Sequence, residues 1–521
     1  MDINRKTKKN IRDYAIIGAL MAFTATFCLI FLTPQSLRLD ESQSLYQSSN
    51  TPTRIISIIA ADVHVPLYHI ILHYWQVAFG NDVGTARILS LIFFVLTIPA
   101  VYMLGKITFG RSVALFASTL VAVSPFLNWY GSEIRMYSLL TLLTVLNQYF
   151  FVRIYKKHKK YSPIRNTAHL WAGYLITSVV GVFTHYFFFL LLLGQGIFLF
   201  SYKAYFYKTT IRKFAAVGAV VAVAFTPWVY KIISAGEVQN AEPQIGAPTA
   251  TNIFNTFSSF LFGFQPDDAN KIIVAFWPLA TIFSFLVLSK NLKRRISIHV
   301  PYFILSIVVA LSAVYILSIS VRPFYLTRYF IFLIPSFYLV IAWILSIYTQ
   351  KRFAKLVKTV LVAGMIAGLL HQVTGANIPV QENYKAANDY LMKNASSRDI
   401  IVVSPPFTVY PLEYYYTGPA AIETLPRWNR LEFGAIPQFD EDKLPEELES
   451  IALSHENIWL VVSVNQGYEG QIIGYFNSNY ERIEKKEFSP GLTLYGYRLR
   501  YDIEDRKAVI KDIIQAESTT N

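Results

Sequence analysis

Five short stretches of the chain hold side chains able to do chemistry. Asp40 and Glu41 stand together straight after an apolar run that carries no charge from Tyr14 to Thr33. In Asp62-Val-His64-Val-Pro66-Leu-Tyr68 a carboxylate and an imidazole lie two apart, ahead of a proline that stiffens the turn. Glu133-Ile-Arg135-Met-Tyr137 pairs a carboxylate with a guanidinium, Thr184-His185-Tyr186 offers a second imidazole, and Arg322 and Arg328 lie six apart. Each stretch alone has an ordinary reading: a solvated helix end, an N-cap, a weak surface ion pair, an interfacial anchor, or arginines reaching for headgroups. Together they supply a carboxylate base, imidazoles, and guanidinium forks that hold phosphate by paired hydrogen bonds. That set suits group transfer from a lipid phosphate.

The elements that would position these groups follow from hydropathy. The chain has 521 residues, 54% apolar and only 15% charged, where a soluble domain carries about 25% charge. Eleven membrane spans are expected, at 14–33, 85–105, 112–128, 137–154, 169–184, 186–202, 214–233, 272–289, 298–320, 329–349 and 357–372. Basic clusters between them (Lys106/Arg111, Arg153 to Arg165, Lys203 to Lys213, Lys290 to Arg295, Lys351 to Lys358) are cytoplasmic by the positive-inside rule. The apolar segment Pro66 to Phe79 is short of the roughly 17 residues a span needs, and it carries His69 and His73 four apart on one face. It reads as an interfacial helix, which keeps every basic cluster inside. The N-terminus is then cytoplasmic, and the protein is a multi-pass protein of the plasma membrane. The basic N-terminus and first run lack a signal-peptide cleavage site, so the first helix is expected to be retained.

In this topology only Asp2 and Asp13, of the eleven acidic residues before position 373, lie inside. Asp40, Glu41, Asp62, Asp82, Glu133, Glu237, Glu242, Asp267 and Asp268 fall outside, and so do Arg38, Arg54, Arg87, Arg135, Lys231, Lys271, Arg322 and Arg328. All five chemical stretches therefore face one side. The first outer loop, 34–84, is expected to hold a second interfacial helix over Thr53–Ala61. The loop 234–271, rich in Pro, Gly, Asn and Thr, reads as a mobile lid.

Residues 1–372 hold 33 Lys/Arg against 11 Asp/Glu, and residues 373–521 hold 14 against 22. The net charge of +14 thus belongs to the membrane domain 1–372 as an orientation signal. The acidic remainder gives no basis for nucleic-acid binding. The single cysteine, Cys28, excludes an intramolecular disulfide. Residues 373–521 read as a small extracytoplasmic α/β domain: helices over Asn383–Leu391 and Glu447–Leu453, strands from Asp399 and Asn457, and a hairpin around Pro490-Gly491. They show no phosphate loop and no nucleophile elbow.

The ordered motifs resemble a family. Asp-Glu after the first span, Asp-x-His-x-Pro-Leu-Tyr, the stretch from Ala86-Arg87-Ile-Leu-Ser to Gly105-Lys-Ile-Thr-Phe-Gly-Arg111, and Ser124-Pro-Phe through Glu133-x-Arg-Met-Tyr137 are similar to those of GT-C membrane glycosyltransferases. Among these the chain looks like bacterial protein O-mannosyltransferases and the aminoarabinose transferase of lipid A. The likeness is dense over 30–190, thinner to 350 and weak beyond. One departure is Val65, where the family has the first proline of His-Pro-Pro.

The resemblance implies a polytopic α-helical GT-C-like fold. It also implies an inverting transfer of a sugar from a polyprenyl-phosphate donor to an acceptor hydroxyl on the extracytoplasmic face. Asp40 would be the general base, with Glu41 beside it orienting or binding the acceptor. Arg322 and Arg328 are the phosphate candidates, with Arg135 as a third. Asp62, His64, Tyr68, Glu133, Arg135, Tyr137 and His185 are candidate donor or acceptor contacts. His64 and His185 suit phosphate or a metal; two histidines define no metal site, so a divalent ion stays open and no other cofactor is expected. The acceptor would be a protein, a lipid or an envelope glycan. A transporter or flippase of lipid-linked sugars, or a non-catalytic binder, is the alternative. A transporter would place ionisable residues in mid-span, whereas here they stand at span ends.

Overall fold

The computed structural model describes residues 2–62, 64–157, 167–235, 246–265, 271, 297–348, 350–375, 380–429, 436–452, 455–464 and 466–499. The expected span 272–289, the four acids of the loop 234–271 and the basic cluster Lys290 to Arg295 lie outside them. Within that loop, read from its composition as a mobile lid, Ala250–Phe262 is instead a helix with Thr256, Ser258, Phe260 and Leu261 buried. The chain forms two compact units. One comprises Met1–Gln35, Gln47–Gly236 and Ile245–Pro379; the other comprises Ser36–Tyr46, Glu237–Gln244 and Val380–Asn521.

The first unit is helical. Its elements are α1 (Asp2–Phe27), then, after α2 (Leu39–Ser48), α3 (Pro52–Ala60), α4 (Leu67–Phe79), α5 (Val83–Thr108), α6 (Arg111–Val123), α7 (Pro125–Gly131) and α8 (Tyr137–Lys157). α9 (Ala168–Val182), α10 (Phe188–Ser201), α11 (Lys208–Ala235) and α12 (Ala250–Phe262) follow, then α13 (His299–Ser320), α14 (Ile334–Ile347) and α15 (Lys351–Thr374). Among the described residues six helices are long and apolar enough to cross a membrane, seven if α6 and α7 count as one. The other expected spans that lie on described residues are helical too, but α9 and α10 have only 15 and 14 residues, so eleven crossings are not established. The protein is a multi-pass membrane protein. Apolar side chains such as Val223, Phe200, Ile319 and Val360 face outward from the unit, as lipid contact requires.

Three local features place the turns between the helices. α1 ends in a π turn, Cys28–Leu32, and the buried Arg87 of α5 closes it. The Arg87 Nη1 donates to the carbonyls of Leu32, Thr33 and Gln35 at 3.4, 2.8 and 2.6 Å. Arg87 is thus a helix C-cap. The span expected over 112–128 is not straight: α6 and α7 meet at 60°. Pro125 starts α7 there, with Ser124 Oγ accepting from Leu127 N–H at 3.2 Å. At the far end of α7 only glycine fits, because a Cβ on Gly131 would stand 2.3 Å from the Phe94 ring. α4 is 13 residues long, about 20 Å. Tyr68, His69, Leu72 and Gln76 form its packed face, while Tyr74, Val77 and Phe79 are exposed. It is amphipathic at helical spacing and too short to span.

The second unit is a five-stranded mixed sheet in the order β2-β1-β3-β5-β4. The strands are β1 (Ile400–Ser404), β2 (Ala421–Thr424), β3 (Asn457–Ser463), β4 (Glu481–Ser489) and β5 (Leu492–Arg498). β1 pairs in parallel with β2 and β3, while β5 runs antiparallel to β3 and β4. The fully buried run Ile-Ile-Val-Val-Ser of β1 reflects cover on both faces. Alternation sends Ile400, Val402, Ile458 and Leu460 to one core, with α18 (Leu444–Ala452) and α19 (Glu469–Asn479). Ile401, Val403, Trp459 and Val461 go to the other core, with α16 (Tyr384–Asn394) and α17 (Val409–Tyr415). The expected hairpin turns at Pro490-Gly491, where Gly491 takes φ +80°. α17, α19 and β2 were not legible in the sequence pattern.

Candidate functional site

The strip 36–46 folds with the α/β unit. Leu37 N–H donates to the Tyr415 hydroxyl at 2.9 Å, Lys385 N–H to Ser36 Oγ at 3.2 Å, and the Tyr46 and Tyr410 rings pack at 4.8 Å. α2 begins on this strip with Asp40 and Glu41 in its first turn, where carboxylates complement the helix dipole. Glu41 is fully buried, and its Oε2 accepts from Arg38 N–H at 3.0 Å, half of a capping box. The next free donor, Leu39 N–H, is taken by Glu382 Oε2 at 2.8 Å. Burial, and then the charges of Asp40 and Glu41, push the Glu382 carboxyl up to about 7, against the pull of the Leu39 N–H and the Arg38 guanidinium. Asp40 itself is half-buried.

A second polar cluster lies within the helical unit, where three turns converge. His64 lies between α3 and α4, Arg135 between α7 and α8, and His185 between α9 and α10. Arg135 Nη2 stands 2.6 Å from His64 Nε2. Guanidinium only donates, so His64 Nε2 accepts and the imidazole is neutral. Tyr186, next to His185, donates its hydroxyl to the His64 carbonyl at 2.9 Å, and Trp228 Nε1 donates to that hydroxyl at 3.2 Å. His185 Nδ1 accepts from Phe187 N–H at 3.1 Å. Burial and the Arg135 charge hold His185 down to about 3. His69, 1% exposed, stacks 6.3 Å from His64, and burial, with His64 and Arg135 as neighbours, lowers it to about 3. Neither ring nitrogen of His69 is satisfied by a well-formed hydrogen bond among the described residues.

The remaining sequence candidates divide by access. Glu133 and Arg135 are both buried in the α7–α8 turn. Asp62 Oδ2 accepts from Gln47 Nε2 at 2.7 Å. Tyr68 and Tyr137 point into the core: the Tyr68 hydroxyl meets Ser90 Oγ at 2.8 Å, and the Tyr137 ring packs edge-on to Tyr130 at 5.2 Å. Arg328 borders the cluster, its guanidinium 5.9 Å from the Tyr329 ring, which in turn lies 5.8 Å from His185. Arg322 is exposed beyond the end of α13. The structure thus brings His64, Arg135 and His185 together, with Arg328 at the edge. Among the described residues no group of three or more His, Cys, Asp or Glu side chains is placed to hold a metal ion. Sequence reasoning missed Glu382, one acid among 22 in its region, and passed over His69 except as a marker of a helix face.

Membrane helices on one chain with an α/β unit are the architecture of the GT-C glycosyltransferases. Comparison with known proteins gives that class: the chain has the GT-C fold, of the type found in protein mannosyltransferases and ArnT. Residues 63–231, which hold His64, Arg135 and His185, match the family model of dolichyl-phosphate-mannose-protein mannosyltransferases. ArnT from Cupriavidus metallidurans in the apo state is similar over 94% of this chain and 98% of its own, with a TM-score of 0.59 and 12% identity. The same protein bound to undecaprenyl phosphate gives 0.56 and 13% over the same shares. The Archaeoglobus fulgidus oligosaccharyltransferase in its apo form gives 0.57 and 13%, over 94% of this chain and 75% of its own. At these identities the likeness is one of fold. No curated protein matches the sequence.

Proposed function

We propose that the protein is a membrane glycosyltransferase that moves a sugar from a polyprenyl-phosphate donor to an acceptor hydroxyl at the extracytoplasmic face, with inversion. The observation that carries this reading is the convergence of His64, Arg135 and His185 within the segment that matches the mannosyltransferase family. A permanently charged guanidinium beside neutral imidazoles suits a lipid monophosphate, and a protein of the same fold has been solved with undecaprenyl phosphate. Arg135 and Arg328 would take the phosphate as charge grows on the leaving oxygen, with exposed Arg322 in a lesser role. Asp40 would receive the proton of the acceptor hydroxyl while its oxygen bonds to the anomeric carbon. As that bond forms, the bond from the anomeric carbon to the phosphate oxygen breaks, and its electron pair leaves with the lipid phosphate. A carboxylate is a weak base for an alcohol, so this work depends on concerted transfer and fixed geometry. Glu41, buried and bonded to Arg38 N–H, would support the turn that presents Asp40.

The decisive test is label transfer from lipid-linked sugars extracted from native membranes, with the full chain in nanodiscs. Asp40→Asn should lose transfer while still binding undecaprenyl phosphate. Turnover near that of the wild type would sink the assignment. Mass spectrometry of envelope glycans from cells lacking the protein would identify sugar and acceptor.

A further inference from the structure

Three carboxylates meet at the first turn of α2, and one of them comes from far along the chain. Glu382 stands two residues before α16, and its Oε2 accepts from the backbone N–H of Leu39, the residue before Asp40, at 2.8 Å. The segment around it is tied down on its own side, since Asn383 N–H donates to Ser489 Oγ at 3.2 Å and Lys385 N–H to Ser36 Oγ. The groups acting on the Glu382 carboxyl are Asp40 and Glu41 as like charges and Arg38 as the opposite charge; its charge also bears on the phenol of Tyr384. A carboxylate used only as a helix cap has no need of two further carboxylates beside it, because each like charge at this range opposes its ionisation.

We propose that Glu382 is the positioning residue of Asp40: it fixes the first turn of α2 through Leu39 N–H and, when ionised, strengthens Asp40 as a base. This inference rests on the reading of Asp40 as general base. Ionised, Glu382 bonds the amide more tightly and adds a negative charge beside Asp40, which raises the proton affinity of that carboxylate. Protonated, it still accepts the N–H through its carbonyl oxygen but leaves Asp40 a weaker base. The carboxyl titrates near neutrality, so transfer rises as pH passes through about 7.

The test compares the wild type, Glu382→Gln, Glu382→Asp and Asp40→Asn, each as the full chain in nanodiscs, with lipid-linked sugars from native membranes as donor. In the wild type kcat should rise on the order of fivefold between acid and alkaline plateaus. Glu382→Gln keeps an amide oxygen for Leu39 N–H but no charge. Its limb near pH 7 should vanish, with kcat fixed near the acid plateau and undecaprenyl phosphate affinity unchanged. Glu382→Asp should restore part of the limb. A second readout needs no turnover: the wild-type Tm minus that of Glu382→Gln should fall as pH rises from about 4.5 to about 7. A limb near pH 7 that persists in Glu382→Gln, or a Tm difference that does not vary with pH, overturns the inference. Activity in Asp40→Asn would overturn the underlying reading instead, so the two failures are told apart.

Discussion

In the helical unit burial holds two imidazoles uncharged, whereas in the α/β unit it holds a carboxyl at the edge of ionisation. His69 and His185 sit at about 3, so at neutral pH they are hydrogen-bonding groups and the positive charge beside them comes from Arg135, which does not titrate. Glu382 sits at about 7, so its charge changes over the physiological range. Desolvation does the same thing in both places, disfavouring the charged form, yet the outcomes differ because the residue types differ. The Arg135 cluster thus keeps its charge across neutral pH at His69 and His185, whereas the Glu382 carboxyl responds.

The sharpest way to break this contrast is Asp40→Asn, for which transfer should fall by about 10²- to 10⁴-fold, measured as initial rate. Arg135→Ala should weaken undecaprenyl phosphate binding by about 10- to 100-fold, the worth of one or two charge-assisted hydrogen bonds. Thermal stability separates the regions by sign. His69 binds fewer protons folded than unfolded, so its contribution is full above about 6.5 and is lost as pH falls toward about 3. Glu382 binds more protons folded, so its contribution is full below about 4.5 and is lost as pH rises to about 7. His69→Phe should therefore flatten the acid limb of the Tm profile, and Glu382→Gln the neutral one; matching slopes for both variants would refute the contrast. Smallest of all, Arg322→Ala should change binding of undecaprenyl phosphate by less than about twofold, since an exposed guanidinium is screened by solvent.

The helices and the α/β unit were legible because their signals are local. Apolar length marks a buried or membrane helix, and the run Asn457-Ile-Trp-Leu-Val-Val-Ser gave β3 to the residue. The Leu67–Phe79 helix was recognisable from its length and its His69/His73 spacing. Partnerships across the chain left no such trace. Arg135 and His64 were each singled out as candidates, but they are 71 residues apart and nothing in the sequence paired them, while Arg87 looked anomalous until its three carbonyl partners were seen. The 60° bend at Ser124–Pro125 was hidden inside an apolar run long enough for one straight span. Glu382 had no signal at all, since a carboxylate in an acidic domain is distinctive only by what it touches.

The bonds that hold the first turn of α2 also set a timetable. Glu382 follows Leu39 by 343 residues and Tyr415 follows Leu37 by 378. At a synthesis rate of about 5–20 residues per second, the segment carrying Asp40 leaves the ribosome roughly 20 to 70 seconds before Glu382 exists. Until then the turn lacks two of its anchors, and closing so long a loop comes late in folding. A half-made chain would carry Asp40 without the residues that hold its turn. The first turn of α2 would be complete only once translation of this protein had run nearly to its end.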